Sequence, residues 1–330
     1  MEELRWGILS TANIAQEQVI PAIQRSKNGV VSAIASSSGR AGEVAEKFNI
    51  PTVYESYEDL LDDPNIDVVY IPLPNHLHQE WVIKAAKKGK HILCEKPVAI
   101  NVEQAEEMVR VCREQNVTFM EAFMYQFHEQ HNRVKEIIAS GEIGEVKLLK
   151  GSFSFYLEGR DSNIRMDPKM GGGSLYDVGC YPLHVIRHIL DSEPVTLFAA
   201  GEIDPQYGID ISAFGHMKME NGVNATFDCS FDMTNRSDYQ VIGTKGVITV
   251  PRAYRPDVFE GGEGLIIVEA NGQSREEFIS TDQYVKQVEH IVESILAKQD
   301  PSYPGEKTIL NMKVIDACYE SMKTGRIVNL

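Results

Sequence analysis

A chain of 330 residues, 43% hydrophobic and 24% charged, is long enough for two domains that each bury a core without disulfide or metal support. Its 32 Lys and Arg against 48 Asp and Glu leave a net charge of −16, which repels phosphate backbones and anionic lipid and excludes nucleic acid and membrane surfaces as expected partners. The five scattered cysteines form no CxxC pair, Met1-Glu2-Glu3-Leu4-Arg5-Trp6 is no apolar leader, and no run of about 18 apolar residues exists, so a reducing, cytoplasmic setting is expected.

Strand-like and helix-like runs alternate over the first part of the chain, the pattern of an α/β domain. Strands are predicted over 5–10, 30–36, 52–54, 68–71, 91–94 and 118–122. Helices are predicted over 14–24, with Pro21 a flaw near its end, and over 42–48, 77–88 and 102–115. Ser56, with Asp59 three residues on, reads as a helix cap ahead of Leu60-Leu61. After a helix at 133–140 the pattern changes. Strand-like runs at 146–156, 195–201, 211–219, 224–232, 239–242, 247–250 and 264–269 follow one another, separated by turn signals such as Glu220-Asn221-Gly222 and Ala270-Asn271-Gly272. They read as a large, mostly antiparallel sheet. Helices at 174–190, 283–298 and 307–324 complete it. The expected organisation is a nucleotide-binding domain over 1–122 and a substrate-binding and oligomerisation domain over 123–330.

The first strand-turn-helix is where a Rossmann domain holds pyrophosphate, because backbone N–H groups at the helix start face the anion. The GxGxxG register falls on Ser10-Thr11-Ala12-Asn13-Ile14-Ala15, small residues in place of glycines, which any α/β turn could also carry. The second strand ends in Ala35-Ser36-Ser37-Ser38-Gly39-Arg40, with no acid to accept from a ribose 2′-OH. Hydroxyls and an Arg suit a 2′-phosphate instead, so NADP(H) is preferred and NAD(H) stays open; the competing reading is a solvated turn.

Three further constellations stand out. The fourth strand ends in Pro72-Leu73-Pro74-Asn75-His76-Leu77-His78; Asn75 and His78 are placed to contact a nicotinamide ribose, unless Asn75 only caps the next helix. The fifth ends in Cys94-Glu95-Lys96-Pro97, where a lysine amine at a strand's carboxyl end can donate to a substrate hydroxyl, although most lysines are solvated surface groups. The third is Gly171-Gly172-Gly173-Ser174 and the helix after it. There Asp177, Tyr181 and His184 share one face at i, i+4 and i+7, an acid, a phenol and an imidazole fit for proton transfer. Pro182 must sit near the helix start or kink it, and a core tyrosine with a capping Asp is the plainer alternative. The nine histidines show no metal-ligand spacing, since His76/His78 and His128/His131 fit loop and helix-surface positions; no metal is expected.

Together these residues resemble the glucose–fructose oxidoreductase / inositol dehydrogenase / MocA family over essentially the whole chain. The marks are Arg5-Trp6-Gly7-Ile8-Leu9, Pro72-Leu73-Pro74-Asn75-His76-Leu77-His78, Glu95-Lys96-Pro97, Glu121-Ala122-Phe123-Met124-Tyr125 and the stretch 171–184. Within it the chain looks most like the branch of dimeric dihydrodiol dehydrogenases and NADP-linked xylose dehydrogenases. The resemblance implies a Rossmann domain joined to an open antiparallel sheet, and a cis Lys96–Pro97 peptide. It places Ser10, Thr11, Ala12, Asn13, Ile14, Ser36, Ser37, Ser38, Arg40, Pro72, Leu73, Asn75, His78, Glu95 and Lys96 on the cofactor side. Lys96, Tyr181 and Asp177 become the catalytic set, with Tyr181 the acid/base and Lys96 its charged partner, or the two roles reversed. Tyr125, Arg165 and His184 join Lys96, Asp177 and Tyr181 at the substrate; Arg160, Tyr156 and Tyr284 line the same side or lie on the surface. The family often carries an Arg where this chain has Gln126, which disfavours an anionic substrate.

The implied reaction is reversible hydride transfer between NADP(H) and a secondary alcohol or hemiacetal of a sugar, inositol or cyclic diol. Two rival readings fit the same residues: a glycoside hydrolase or lyase that oxidises its substrate transiently, and a non-catalytic NADP(H) sensor. An open sheet exposes a broad face, so a homodimer or homotetramer through it is expected.

Overall fold

The computed structural model describes residues 3–330; Met1 and Glu2, where the leader reading begins, lie outside the described residues. The chain divides into two compact units. One comprises the described residues up to Met124 together with Tyr284–Leu310, the other Tyr125–Gln283 with Asn311–Leu330. The first crossover falls close to the expected boundary at 122/123, but the expected second domain is interrupted, because residues 284–310 return to the first unit.

In the first unit the strands are β1 (Leu4–Leu9), β2 (Gly29–Ala35), β3 (Thr52–Tyr54), β4 (Val68–Ile71), β5 (His91–Cys94) and β6 (Phe119–Glu121). They form one parallel sheet in the order β3-β2-β1-β4-β5-β6. The connecting helices are α1 (Ile20–Arg25), α2 (Ala41–Phe48), α3 (Tyr57–Asp62), α4 (His78–Lys87) and α5 (Val102–Glu114). The order reverses between β1 and β4, and a crevice outside the carboxyl ends at such a reversal is where open α/β sheets bind ligands. All four residues of β4 are buried, as a central parallel strand covered on both faces requires. Ser56 caps α3 through the Asp59 amide at 3.0 Å, as its spacing predicts.

The second unit holds α6 (Glu129–Ala139), β7 (Val146–Tyr156), α7 (Cys180–Leu190), β8 (Pro194–Ile203), β9 (Asp210–Met219), β10 (Asn224–Ser230), β11 (Asp232–Gly243), β12 (Gly246–Val250), β13 (Glu263–Ala270) and β14 (Gln273–Ser280). Helices α8 (Gln283–Ala297) and α9 (Gly305–Thr324) and strand β15 (Val328–Asn329) end the chain. Nine strands make one sheet in the order β14-β13-β12-β11-β7-β10-β9-β8-β15, antiparallel except for the β10–β7 pair. Register and burial fix its two faces. Val268, Ile248, Val241, Leu149, Ala225, Met217 and Leu197 pair in one row across seven strands, and all are buried. The adjacent row, from Ile267 through Gln240 and Lys150 to His216 and Phe198, is half-buried to exposed. Helix α7 covers the buried face: a Cβ at Gly151 would touch Pro182, and one at Gly179 would strike the Cys229 thiol.

The sequence reading missed β14 and β15. Gln-Ser-Arg-Glu-Glu lacks apolar alternation because β14 is an edge strand that needs charge rather than a buried face. It also missed a shared solution to two prolines. A π turn at Ala15–Val19 precedes Pro21, and another at Leu175–Gly179 precedes Pro182. A wider turn re-aims the carbonyls ahead of a residue with no N–H to offer, so each helix continues past its proline.

Candidate active site

In the first unit β1 runs into a turn at Ser10, whose φ of 132° lies in the region that favours glycine. Ser10 holds that conformation with two hydrogen bonds. Its amide donates to the Ala35 carbonyl at 2.9 Å, and its hydroxyl accepts from the Ala12 amide at 3.1 Å. Thr11, Ser36 and Ser38 then form a hydroxyl chain, with Oγ–Oγ separations of 2.8 Å for Ser36 and Ser38 and 3.3 Å for Thr11 and Ser38. Beside it lies an open groove of about 200 Å³ lined by Thr11, Gln16, Arg40, Glu43, Val44 and Lys47. Gln16 is anchored by its amide N–H on the Thr11 carbonyl at 2.9 Å. Two cations, a set of hydroxyls and a helix start fit a ribose phosphate. Lys47 was missed because a lysine in the last turn of a helix reads as surface.

The carboxyl ends of β4 and β5 carry the second part. Lys96–Pro97 is cis, as the resemblance implies. Glu95 accepts from the Tyr70 phenol at 2.5 Å and from the Lys96 amide at 3.4 Å. Burial pushes the Tyr70 phenol well above its ordinary value, so it stays the donor. On the far side of the proline, buried Glu121 of β6 accepts the Val98 amide at 2.9 Å. Neither Tyr70 nor the role of Glu121 was read from the sequence; Glu121 figured there only as part of a motif. His78 was expected at the nicotinamide ribose. The structure corrects this, since the imidazole is fully buried with its nitrogens on the carbonyls of Leu73 (2.8 Å) and Pro97 (3.0 Å). Burial lowers its pKa to about 4, so it is a neutral brace tying the β4 loop to the β5 loop. Asn75 opens a short 3₁₀ turn after Pro74.

In the second unit Asp177 lies in the π turn and Tyr181 in the first turn of α7. Arg165 Nε donates to Asp177 Oδ2 at 2.6 Å. Asp177, the hydrogen bond to it and the field of Tyr181 together raise the guanidinium's pKa, so these three side chains are within electrostatic reach. The Tyr181 ring is packed by Phe153, Tyr254 and Tyr125 at centroid distances of 5.2, 5.4 and 5.7 Å. Tyr125 and His184 were expected to touch substrate, but they are 0% and 1% exposed and share a hydrogen bond of 2.5 Å. Burial drives His184 well below its ordinary pKa, so the pair is a neutral support behind Tyr181. Of the predicted face, Asp177 bonds Arg165, and His184 bonds the buried Tyr125 that packs on Tyr181. Arg160 pairs with Asp232 and lies 5.3 Å from the Tyr156 ring, while Tyr284 is buried in the first unit. Among the described residues no group of three or more His, Cys, Asp or Glu could hold a metal ion. No described helix is long and apolar enough to cross a membrane.

A parallel sheet in this strand order, a phosphate-type groove after β1 and a lysine at the end of β5 define an NAD(P)-dependent oxidoreductase. Comparison with known proteins makes the assignment particular. Residues 4–123 match the model of an oxidoreductase family with an NAD-binding Rossmann fold, and residues 131–249 match a GFO/IDH/MocA C-terminal domain. The chain belongs to the glucose–fructose oxidoreductase / inositol dehydrogenase / MocA family. It is 37% identical to a D-xylose 1-dehydrogenase (NADP(+)) of Haloferax volcanii, over 99% of this chain and 100% of that one. It is 34% identical to trans-1,2-dihydrobenzene-1,2-diol dehydrogenase of Mus musculus, over 77% of this chain and 76% of that one. Among solved structures, KijD10, a 3-ketoreductase from Actinomadura kijaniata in complex with NADP and TDP-benzene, superposes with a TM-score of 0.91 at 28% identity, covering 97% of this chain and 98% of that one.

Proposed function

We propose that this oxidoreductase transfers hydride between NADP(H), in preference to NAD(H), and a neutral sugar, inositol or cyclic diol. The observation that carries the proposal is the pairing, on one parallel sheet, of the Arg40–Lys47 groove after β1 with Lys96 at the end of β5. A 2′-phosphate gains from two cations where a free 2′-OH would call for a carboxylate acceptor. The xylose and dihydrobenzenediol dehydrogenases named above support the substrate class.

Arg40, Lys47 and the hydroxyls of Thr11, Ser36 and Ser38 would hold the phosphate end of the dinucleotide. Ser37, Ala12, Asn13 and Ile14 form the turn around it, and Pro72, Leu73, Asn75 and Glu95 border the nicotinamide end. Bound there, the nicotinamide supplies or accepts the hydride. Lys96 donates a hydrogen bond to the carbinol oxygen and its charge steadies the alkoxide. Tyr181 takes or returns the hydroxyl proton. Asp177, held by Arg165, binds substrate hydroxyls. An alcohol without charge suits a site whose arginine is already paired.

Supporting a homodimer or homotetramer, Phe198 and Phe214 stand 41% and 39% exposed on the uncovered face of the nine-stranded sheet. Five buried free thiols support a cytoplasmic location.

The test is NADP⁺ reduction over a panel of aldoses, inositols and cyclic diols, repeated with NAD⁺. Turnover with NADP⁺ on at least one neutral polyol is expected. Tight NADP(H) binding with no turnover would point to a sensor instead. Release of an aglycone from a glycoside, with no net cofactor change, would point to a hydrolase.

A further inference from the structure

We infer that Asp210, a residue of the sheet remote in sequence from the catalytic set, is the positioning residue that fixes the helix carrying Asp177 and Tyr181. The inference rests on the roles proposed above for those two side chains.

Asp210 opens β9 and is 2% exposed. Its Oδ2 accepts the Leu175 amide at 2.6 Å and the Ser174 hydroxyl at 2.8 Å. Its Oδ1 accepts the Tyr319 phenol of α9 at 2.8 Å. A helix start leaves N–H groups without partners inside the helix, and the residue before the helix normally supplies one acceptor. Here no side chain from the preceding residue caps the turn, and the acceptor arrives from another strand. The glycine run is explained by this approach. Gly173 has a φ of 122°, and a Cβ there would collide with Asp210 Oδ1. A Cβ on Gly172 would collide with the carbonyls of Arg165 and Asp167, so the same run seats the loop that delivers Arg165. Asp177 follows directly, its amide donating to the Gly173 carbonyl at 3.1 Å. One buried carboxylate therefore holds the start of the turn that carries Asp177, and Tyr181 lies in the first turn of the α-helical run after it. Burial raises the Asp210 pKa against the pull of its three donors.

Asp210→Ala removes the acceptor. Asp210→Asn keeps one oxygen for Leu175 and Ser174 and turns its amide toward the Tyr319 oxygen, which can accept. In the full-length protein, Asp210→Ala should lower kcat for the polyol found in the screen by about 10²-fold, since small misplacements of reacting groups cost that much. The Kd for NADP⁺ should stay within about twofold, and Asp210→Asn should restore most of kcat. Amide exchange by mass spectrometry should speed up at 174–181 in Asp210→Ala, with the Rossmann strands unchanged. Exchange is read without substrate, so it decides the inference even where the screen finds no alcohol and the functional reading itself fails. Wild-type exchange and kcat in folded Asp210→Ala would overturn the inference, as would an Asp210→Asn variant as impaired as Asp210→Ala. If Asp210→Ala does not fold, Ser174→Ala combined with Tyr319→Phe takes its place. Faster exchange at 174–181 is then expected, and unchanged exchange overturns the inference.

Discussion

The Tyr70 phenol donates to Glu95 Oε1 across 2.5 Å, while Glu95 Oε2 accepts the amide of Lys96. A fully buried strand residue thereby sets the carboxylate that borders the lysine. Tyr70→Phe should lower kcat by about tenfold and stability by about 1–3 kcal/mol, the usual cost of deleting a hydrogen bond to a charged group. Steady-state kinetics and a urea titration read both. An unchanged kcat would show that Glu95 is held without Tyr70.

Lys96→Ala and Tyr181→Phe should each lose about 10²–10⁴-fold in kcat, the range of general acid–base help, while NADP(H) affinity stays near that of the unaltered protein. Stopped-flow hydride transfer and fluorescence titration separate the two quantities. Wild-type turnover in Lys96→Ala would remove the lysine from the mechanism.

Arg40→Ala and Lys47→Ala should each weaken NADP⁺ binding by about tenfold, as loss of a charge-assisted hydrogen bond does, and leave NAD⁺ binding nearly unchanged. Equal weakening of both cofactors would mean that the groove of Thr11, Gln16 and Lys47 does not read the 2′-phosphate.

His78, His131 and His184 are fully buried, and burial depresses all three pKa values, that of His78 to about 4. The unfolded chain takes up protons near pH 6.5 that the folded chain refuses until lower pH. Stability from these groups is thus full above 6.5 and is lost as pH falls toward 4. His78 alone accounts for about 3 kcal/mol of that loss. Urea midpoints from pH 8 to 4 should fall steeply below 6.5; a flat profile would mean the histidines are protonated in the folded state.

Much of this was legible beforehand. The bounds of β3, β4, β5 and β7 match the sequence reading, because apolar runs closed by turn residues leave few alternatives. Lys96 and Arg40 stand out in the sequence because each follows the carboxyl end of a strand of the parallel sheet. The failures share a cause, namely contacts made over long sequence distances. Asp210 looks like an ordinary strand residue until Gly173 closes on it. Tyr125, His78 and His184 look like site residues because polar side chains beside a motif invite that reading; only packing shows them turned inward. The π turns have no periodic signature, so the turn that carries Asp177 reads in the sequence as ordinary helix.

The charged edge strand sets a limit on how this sheet can grow. On β14, Arg275 bonds Glu142 and Glu277, and Glu277 also takes Arg133 at 2.7 Å. At the opposite edge β15 is only two residues long. A newcomer strand would meet a fence of ion pairs on one side; on the other, β15 pairs only Thr196 and Leu197 of β8. Lateral addition, the route to cross-β polymer, is opposed by charge at the β14 margin even though the sheet beside it is broad and partly apolar. What the sheet leaves open is its face, where Phe198 and Phe214 are exposed.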